Sequence, residues 1–215
     1  MAFVLTYTNL VTTVENYLER LNTTFVADIP LFIMLGERRV ARDLKILGLK
    51  VFMTDNFLIG QQVLAKPNRW LNSSTFNIGT NVGTATGYNT RVQIEQRSYE
   101  YARIYWPDPT QTAQPKFYAD YDYNHWLIAP TPDATYPYEM AYYQTPVLID
   151  ENNSTNFLTT NCPDVLIYAT LLETASYLKD DERVPIWTQY YNVAKAALTE
   201  EDMRRVYDGF SVRGG

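Results

Sequence analysis

Residues 117–133 read FYADYDYNHWLIAPTPD. Lys116 to Ala119 and Trp126 to Ala129 are short runs of aromatic and apolar residues, the composition of strands. Tyr121-Asp122-Tyr123-Asn124 between them has turn chemistry, and Pro130-Thr131-Pro132-Asp133 closes the stretch with fixed φ. The segment therefore reads as a β-hairpin. Around it, residues 99–143 hold ten of the eighteen tyrosines and two of the four tryptophans. Aromatics at that density build a packed β surface or a contact surface.

Further candidate strands lie nearby at Arg69-Trp70, Ser74 to Ile78, Thr90 to Gln96 and Tyr138 to Tyr143. Pro107-Asp108-Pro109 marks another turn. Tyr99 to Trp106 fits a short helix or a strand. Residues 79–90, GTNVGTATGYNT, read as a mobile loop.

Outside this middle region the apolar period changes to that of helices. Leu10, Val14, Tyr17, Leu18 and Leu21 make one stripe of a helix over 8–22, with Thr8 as N-cap. A second helix is expected from Ile29 to Leu47, capped by Asp28, with Pro30 in its first turn and Gly48 as its stop. Val40, Ala41, Leu44 and Leu47 share its apolar face. Near the C-terminus, Asn161 caps a helix whose apolar face runs from Val165 to Leu178, with Pro163 in its first turn. Pro185 opens a last helix carrying Trp187, Tyr190, Tyr191, Ala194, Ala197 and Leu198.

The expected fold class is α+β. N- and C-terminal helix pairs form an antiparallel bundle, discontinuous over 1–50 and 158–206, with a β-rich insert at 51–157. A flexible tail follows at 207–215.

The 215 residues are 46% hydrophobic and 20% charged, as in a globular chain with a core. The net charge of −6 argues against a nucleic-acid-binding module that works by neutralising phosphate. It is compatible with an acidic wall past which DNA slides. Segments 1–50, 51–150 and 151–215 carry +1, −3 and −4. No signal peptide and no apolar run long enough for a membrane span are visible, so a cytoplasmic site of synthesis and no membrane partner are expected. The sequons at Asn22 and Asn72 then read as chance matches.

Groups capable of chemistry are few. Cys162 is the single cysteine and reads as a small buried residue beside Pro163. His125 is the only histidine, which leaves no ordinary zinc set. Asp120 and Asp122 lie two apart, but catalytic carboxylates usually come from different segments. Gly79, Gly83 and Gly87 match no phosphate-binding motif, and no G-x-S-x-G or H-E-x-x-H is present. No catalytic, cofactor-binding or metal-binding residue is assigned. Half of the set Trp106, Phe117, Tyr118, Tyr121, Tyr123, Trp126, Tyr136 and Tyr138 fits core packing. The rest fits a protein interface or a sugar-stacking platform.

Three long stretches resemble phage head-to-tail adaptor proteins, also known as head-completion, connector or tail tubular A-type proteins. They are LTYTNLVTTVENYLERLNTTFVADIPLFIMLGERRVARDLKILG, YARIYWPDPTQTAQPKFYADYDYNHWLIAPTPDATYPYEMAYYQTP and NFLTTNCPDVLIYATLLETASYLKDDERVPIWTQYY. The resemblance covers nearly the whole chain in order and is thinnest over 50–65 and 79–90. It implies a non-enzymatic virion component at the head–tail junction. Such a protein forms a dodecameric ring under the portal, extends the DNA channel without sequence-specific binding, and docks the tail nozzle or tail tube.

It also implies that the C-terminal segment, with Arg204, Arg205, Tyr207, Phe210 and Arg213, reaches the portal. A ring needs two different faces of one subunit to meet. The basic Arg38, Arg39 and Arg42 and the acidic Asp180, Asp181 and Glu182 are candidate complementary faces. Solvated helix ends are the plain alternative for both. Tyr121, Tyr123, His125 and Trp126 are candidates for contact with the tail or a neighbour. The rival reading is a glycan-binding or peptidoglycan-hydrolysing tail protein using Asp120, Asp122 or Glu139.

Overall fold

A computed structural model of the chain describes residues 4–19, 22–79, 91–178 and 182–207, without the side chains of Ser176, Val206 and Tyr207. It is a mixed α+β protein. Among these residues are six α-helices and two four-stranded sheets. The chain divides into two compact units, Met1–Leu49 with Thr145–Gly215, and Lys50–Gln144. Residues 145–157, given to the insert on sequence grounds, cluster with the helical unit.

In the helical unit α1 spans Tyr7–Leu18 and buries Leu10, Val14 and Leu18. Its N-cap is Thr6, whose Oγ1 accepts from the Asn9 amide, rather than Thr8. Tyr17 of the predicted stripe is exposed.

Helix α2 spans Thr23–Asp43, so it begins six residues before the expected start. Asp28 and Pro30 lie inside it rather than at a cap, on either side of Ile29 in the buried row Phe25, Ile29 and Ile33. An interior proline costs about 3 kcal/mol. Burying Phe25 and Ile29 completely returns about 1.5–3 kcal/mol each, which offsets it. The helix ends at Asp43, short of Leu47. Leu44 and Ile46 are both buried while Lys45 between them is exposed, a two-residue period that only extended backbone satisfies.

Helix α4, Phe157–Asn161, carries a capping box between Asn156 and Thr159. Asn161 ends this helix instead of capping the next. Helix α5, Pro163–Leu178, starts with Pro163 as its first residue, where the missing N–H is harmless. Helix α6 spans Val184–Tyr207. Helix α5 is central and packs on α2, α6, α4 and α1. Its approach to α2 is close: a Cβ on Gly36 would lie 2.9 Å from the Thr170 amide nitrogen.

In the second unit, β1 (Lys50–Phe57), β8 (Tyr136–Gln144), β3 (Trp70–Ile78) and β4 (Val92–Gln93) form one sheet in that order. All of its pairings are antiparallel. Strands β2 (Val63–Ala65), β7 (His125–Ala129), β6 (Phe117–Asp120) and β5 (Glu95–Gln96) form the other. The β6–β7 hairpin pairs Phe117 with Ala129 and Asp120 with Trp126. One core lies between the sheets, built from Phe57, Phe76, Ile78, Tyr118, Trp126, Ile128, Tyr138 and Met140 among others. Helix α3, Tyr99–Tyr105, covers the outer face of the second sheet, where Ala102 and Trp106 meet Ala119, Leu127 and Ala129. The segment Tyr99 to Trp106 is thus helical, capped by Ser98. Strands β1 and β2 have no counterpart in the predicted set. Exposed Phe52, Leu58 and Ile59 interrupt the alternation that marks a half-buried strand.

Candidate interaction surfaces

The hairpin of residues 117–133 separates its aromatics by the two-residue period of a strand. Trp126 points inward and is 0% exposed, its ring edge-on to Trp70 at 5.5 Å and tilted on Phe76 at 5.8 Å. Its indole N–H has no hydrogen-bond partner among the described residues. Trp126 is therefore a core residue and leaves the docking set. Tyr123, at the turn, is 91% exposed, and Tyr121 is also exposed.

The turn that presents these tyrosines is tied down. Lys66, with a side chain only 7% exposed, places its ammonium 2.7 Å from Asp120 Oδ1. It donates to the Asp122 carbonyl at 3.0 Å and sits 4.7 Å from the Trp70 ring centroid. A charge this buried persists because a carboxylate, a carbonyl and an aromatic face replace its water. His125 Nδ1 lies 2.9 Å from Asp122, and Asp122 Oδ1 accepts from the Asn124 amide at 2.7 Å. Slight desolvation pushes the Asp122 carboxyl up, but the hydrogen bonds from His125 and Asn124 outweigh it and hold it below the usual range. His125 thus closes a turn.

Around α3 lies a belt of half-exposed rings: Tyr101 on Phe117 at 5.7 Å, Trp106 on Phe117 at 5.2 Å, and Tyr99 on Tyr121 at 6.1 Å. Arg97 stacks over Tyr101 and Phe117, and Arg103 over Tyr99. Tyrosine, tryptophan and arginine are the residues over-represented at binding hot spots. The sequence pointed to the tyrosines here; the arginines among them went unnoticed, because neither has a neighbouring base to mark a cluster.

The carboxylates of the hydrolase reading are engaged. Asp120 holds Lys66, Asp122 holds His125, and Glu139 lies 3.2 Å from Arg91. No group of three metal-ligating side chains exists among the described residues.

In the helical unit the basic cluster is partly satisfied internally. Arg39 Nε pairs with Glu173 at 2.5 Å, and Arg42 Nε donates to the Arg38 carbonyl at 3.1 Å. Arg38 and Arg42 are exposed, as is Glu182. Asp180, Asp181, Phe210 and Arg213 lie outside the described residues, as does most of the 79–90 loop. Arg204 and Arg205, on the last turn of α6, pair with Glu200 and Glu201 four residues back. Tyr207 ends the helix.

Helix α6 carries two apolar stripes. Trp187, Tyr191 and Ala194 are buried, whereas Ile186, Tyr190 and Val193 are exposed at i, i+4 and i+7. Tyr190 leans on Tyr168 of α5 at 5.2 Å. A groove of about 440 Å³, lined by Leu44, Lys195, Ala196, Thr199 and Met203 among others, runs beside the C-terminal half of α6.

Glu37 is a site the sequence did not flag. It is fully buried on α2, where its carboxylate accepts from the Ile149 amide at 3.1 Å and from Asn156 Nδ2 at 2.6 Å. It thereby fastens residues 145–156 to the helices. Burial pushes its carboxyl up to about 7 against those two hydrogen bonds. Burial likewise pushes the Cys162 thiol up to about 12, so it is not a nucleophile near neutrality.

Residues 5–213 match the family model described as SU10 adaptor protein. The chain belongs to the SU10 adaptor protein family. The adaptor is thus a structural phage protein, a virion component that joins head and tail and meets portal and tail proteins. No curated protein sequence matches it. No helix among the described residues is long and apolar enough to cross a membrane.

Proposed function

We propose that the adaptor assembles as a dodecameric ring beneath the portal, lengthens the DNA channel and offers the tail nozzle or tube its docking surface. The family match over residues 5–213 carries this reading. In it, the helical unit is an antiparallel bundle of the N- and C-terminal helix pairs, and the β-rich unit is inserted between them. The C-terminal segment with Arg204, Arg205, Tyr207, Phe210 and Arg213 docks the portal. Arg38, Arg39 and Arg42 face Asp180, Asp181 and Glu182 of the next subunit, with Arg39 shared between that contact and Glu173. Tyr121, Tyr123 and the His125 turn meet the tail or a neighbour. The net charge of −6 suits a channel wall that repels the genome it conducts.

Electron microscopy of the purified chain with and without portal tests the assembly. A ring in either sample is expected, and a monomer that ignores portal overturns the reading. Deleting Tyr207 to Gly215 should leave the circular dichroism spectrum unchanged and abolish portal binding. Normal docking of the truncated chain would remove the C-terminal role.

A further inference from the structure

The chain returns from β8 to α4 through residues 145–156, a strap of twelve residues. Little apolar surface holds this strap in place, since only Pro146 and Ile149 in it are buried. Much of its hydrogen bonding is internal. Asp150 Oδ1 accepts from the amides of Asn152 and Asn153 at 2.7 Å. Asn153 Nδ2 donates to the Leu148 carbonyl and Asn156 Nδ2 to the Val147 carbonyl, both at 2.9 Å. A loop folded on itself, with few buried apolar contacts, is the kind of segment that opens locally at low cost.

Its attachments to the helices are few. The Ser154 carbonyl accepts from the Tyr7 amide at 2.8 Å, at the start of α1. On α2, Glu37 is the one residue that hydrogen-bonds the strap among the described residues. Its carboxyl is enclosed, and no cation pairs with it among the described residues. Two N–H donors replace only part of the water that an ionised carboxylate loses, so ionisation in the closed strap is costly. Both donors reach Oε1, the Ile149 amide at 3.3 Å and Asn156 Nδ2 at 2.6 Å. A glutamine could therefore accept the same bonds. What glutamate adds is a proton that can leave.

Other charged groups come from the elements around α2. The strap carries Asp150 and Glu151, α1 carries Tyr7 and Glu15, and α5 carries Asp164 and Glu173. Arg39 pairs with Glu173, and α4 has no charged residue. Burial, with a smaller push from Asp150, raises the Glu37 carboxyl to about 7 from 4.5. Burial, then Glu151 and Asp150, push the Tyr7 phenol above its ordinary 10, away from the neutral range.

We infer that residues 145–156 form a clasp closed by protonated Glu37, which opens as a unit when that carboxyl ionises, while α2 and α5 stay folded. Opening lets the carboxylate reach water and separates it from Asp150. It also leaves the connection from β8 to α4 with slack of up to about 40 Å. The closed clasp keeps a proton that the open one releases, so opening is favoured as pH rises. The clasp belongs to the single chain and does not depend on the ring.

Hydrogen–deuterium exchange of the full-length chain at pH 5.5 and pH 8, corrected for the intrinsic exchange rate, tests it. With the Glu37 carboxyl at about 7 closed and 4.5 open, protection over 145–156 should fall about 25-fold between the two. At both pH values it should lie at least about tenfold below that of α5, as local opening requires. In Glu37→Gln the strap should be equally protected at both. A wild-type strap with flat protection overturns the inference. So does a strap that exchanges together with α5, which would mean global unfolding. These two readings need only the wild type, so they decide even where the glutamine variant does not fold. A fall that persists undiminished in folded Glu37→Gln overturns the role of Glu37.

Discussion

The two units of the adaptor solve the burial of polar chemistry in opposite ways. The β-rich unit keeps its core almost wholly aromatic and aliphatic. A deeply placed charge, Lys66, sits at the rim, against Asp120 and two indoles. The helical unit carries a carboxylate, Glu37, in its interior and uses it to fasten a long connection. The second arrangement couples folding to pH near neutrality.

Truncating the aromatic core tests the first half of this contrast and should have the largest effect. Trp126→Ala removes a fully buried ring and should cost about 3–5 kcal/mol. Hydrogen–deuterium exchange should speed up across 50–144. A loss below about 1 kcal/mol would mean that the core is not built around this ring.

The pH response tests the second half. The Glu37 carboxyl stands at about 7 when folded against 4.5 as its ordinary value. Between these values the unfolded chain has released the proton and the folded chain keeps it. Stability therefore falls as pH rises through that window, by on the order of 3 kcal/mol from this group. Glu37→Gln removes the dependence. The stability of the variant relative to wild type should climb by that amount from pH 4.5 to 7.5 in urea unfolding, and a flat difference would contradict it.

Smaller effects sharpen the contrast. Gly36→Ala forces the α2–α5 crossing apart at Thr170 and should cost about 1–3 kcal/mol, seen as a lower Tm. Lys66→Met keeps the stem against the indoles but loses the ion pair and cation–π contact. About 1 kcal/mol is expected, because Asp120 is half exposed and water takes over its solvation. Tyr123→Ala should change stability by less than about 0.5 kcal/mol. Any loss it causes in tail binding, measured by pull-down with tail protein, then reports contact rather than folding.

Where local pattern and tertiary burial agree, the sequence was a sufficient guide. The stripe Leu10, Val14, Leu18 marks α1, and FYAD-YDYN-HWLIA marks β6, its turn and β7. It failed where distant partners outweigh local rules. Pro30 suggested a helix start, but the burial of Phe25 and Ile29 carries α2 through it. Leu44 continued a helical spacing, but Ile46 is buried beside it and the chain straightens. Nothing in GERRV marks Glu37 as buried, since its donors, Ile149 and Asn156, lie more than a hundred residues away.

By itself the sequence determined the order of helices, strands and helices, the aromatic density of the middle segment and the acidic balance. These follow from composition and from periods spanning a few residues. Only the tertiary structure decided which aromatics are core, with Trp126 inside and Tyr123 outside one hairpin. It alone decided that β1 ends a sheet with its outer side open among the described residues, and that Glu37 is enclosed. Those outcomes depend on which remote strands and helices cover a residue, and no short window of sequence encodes its cover.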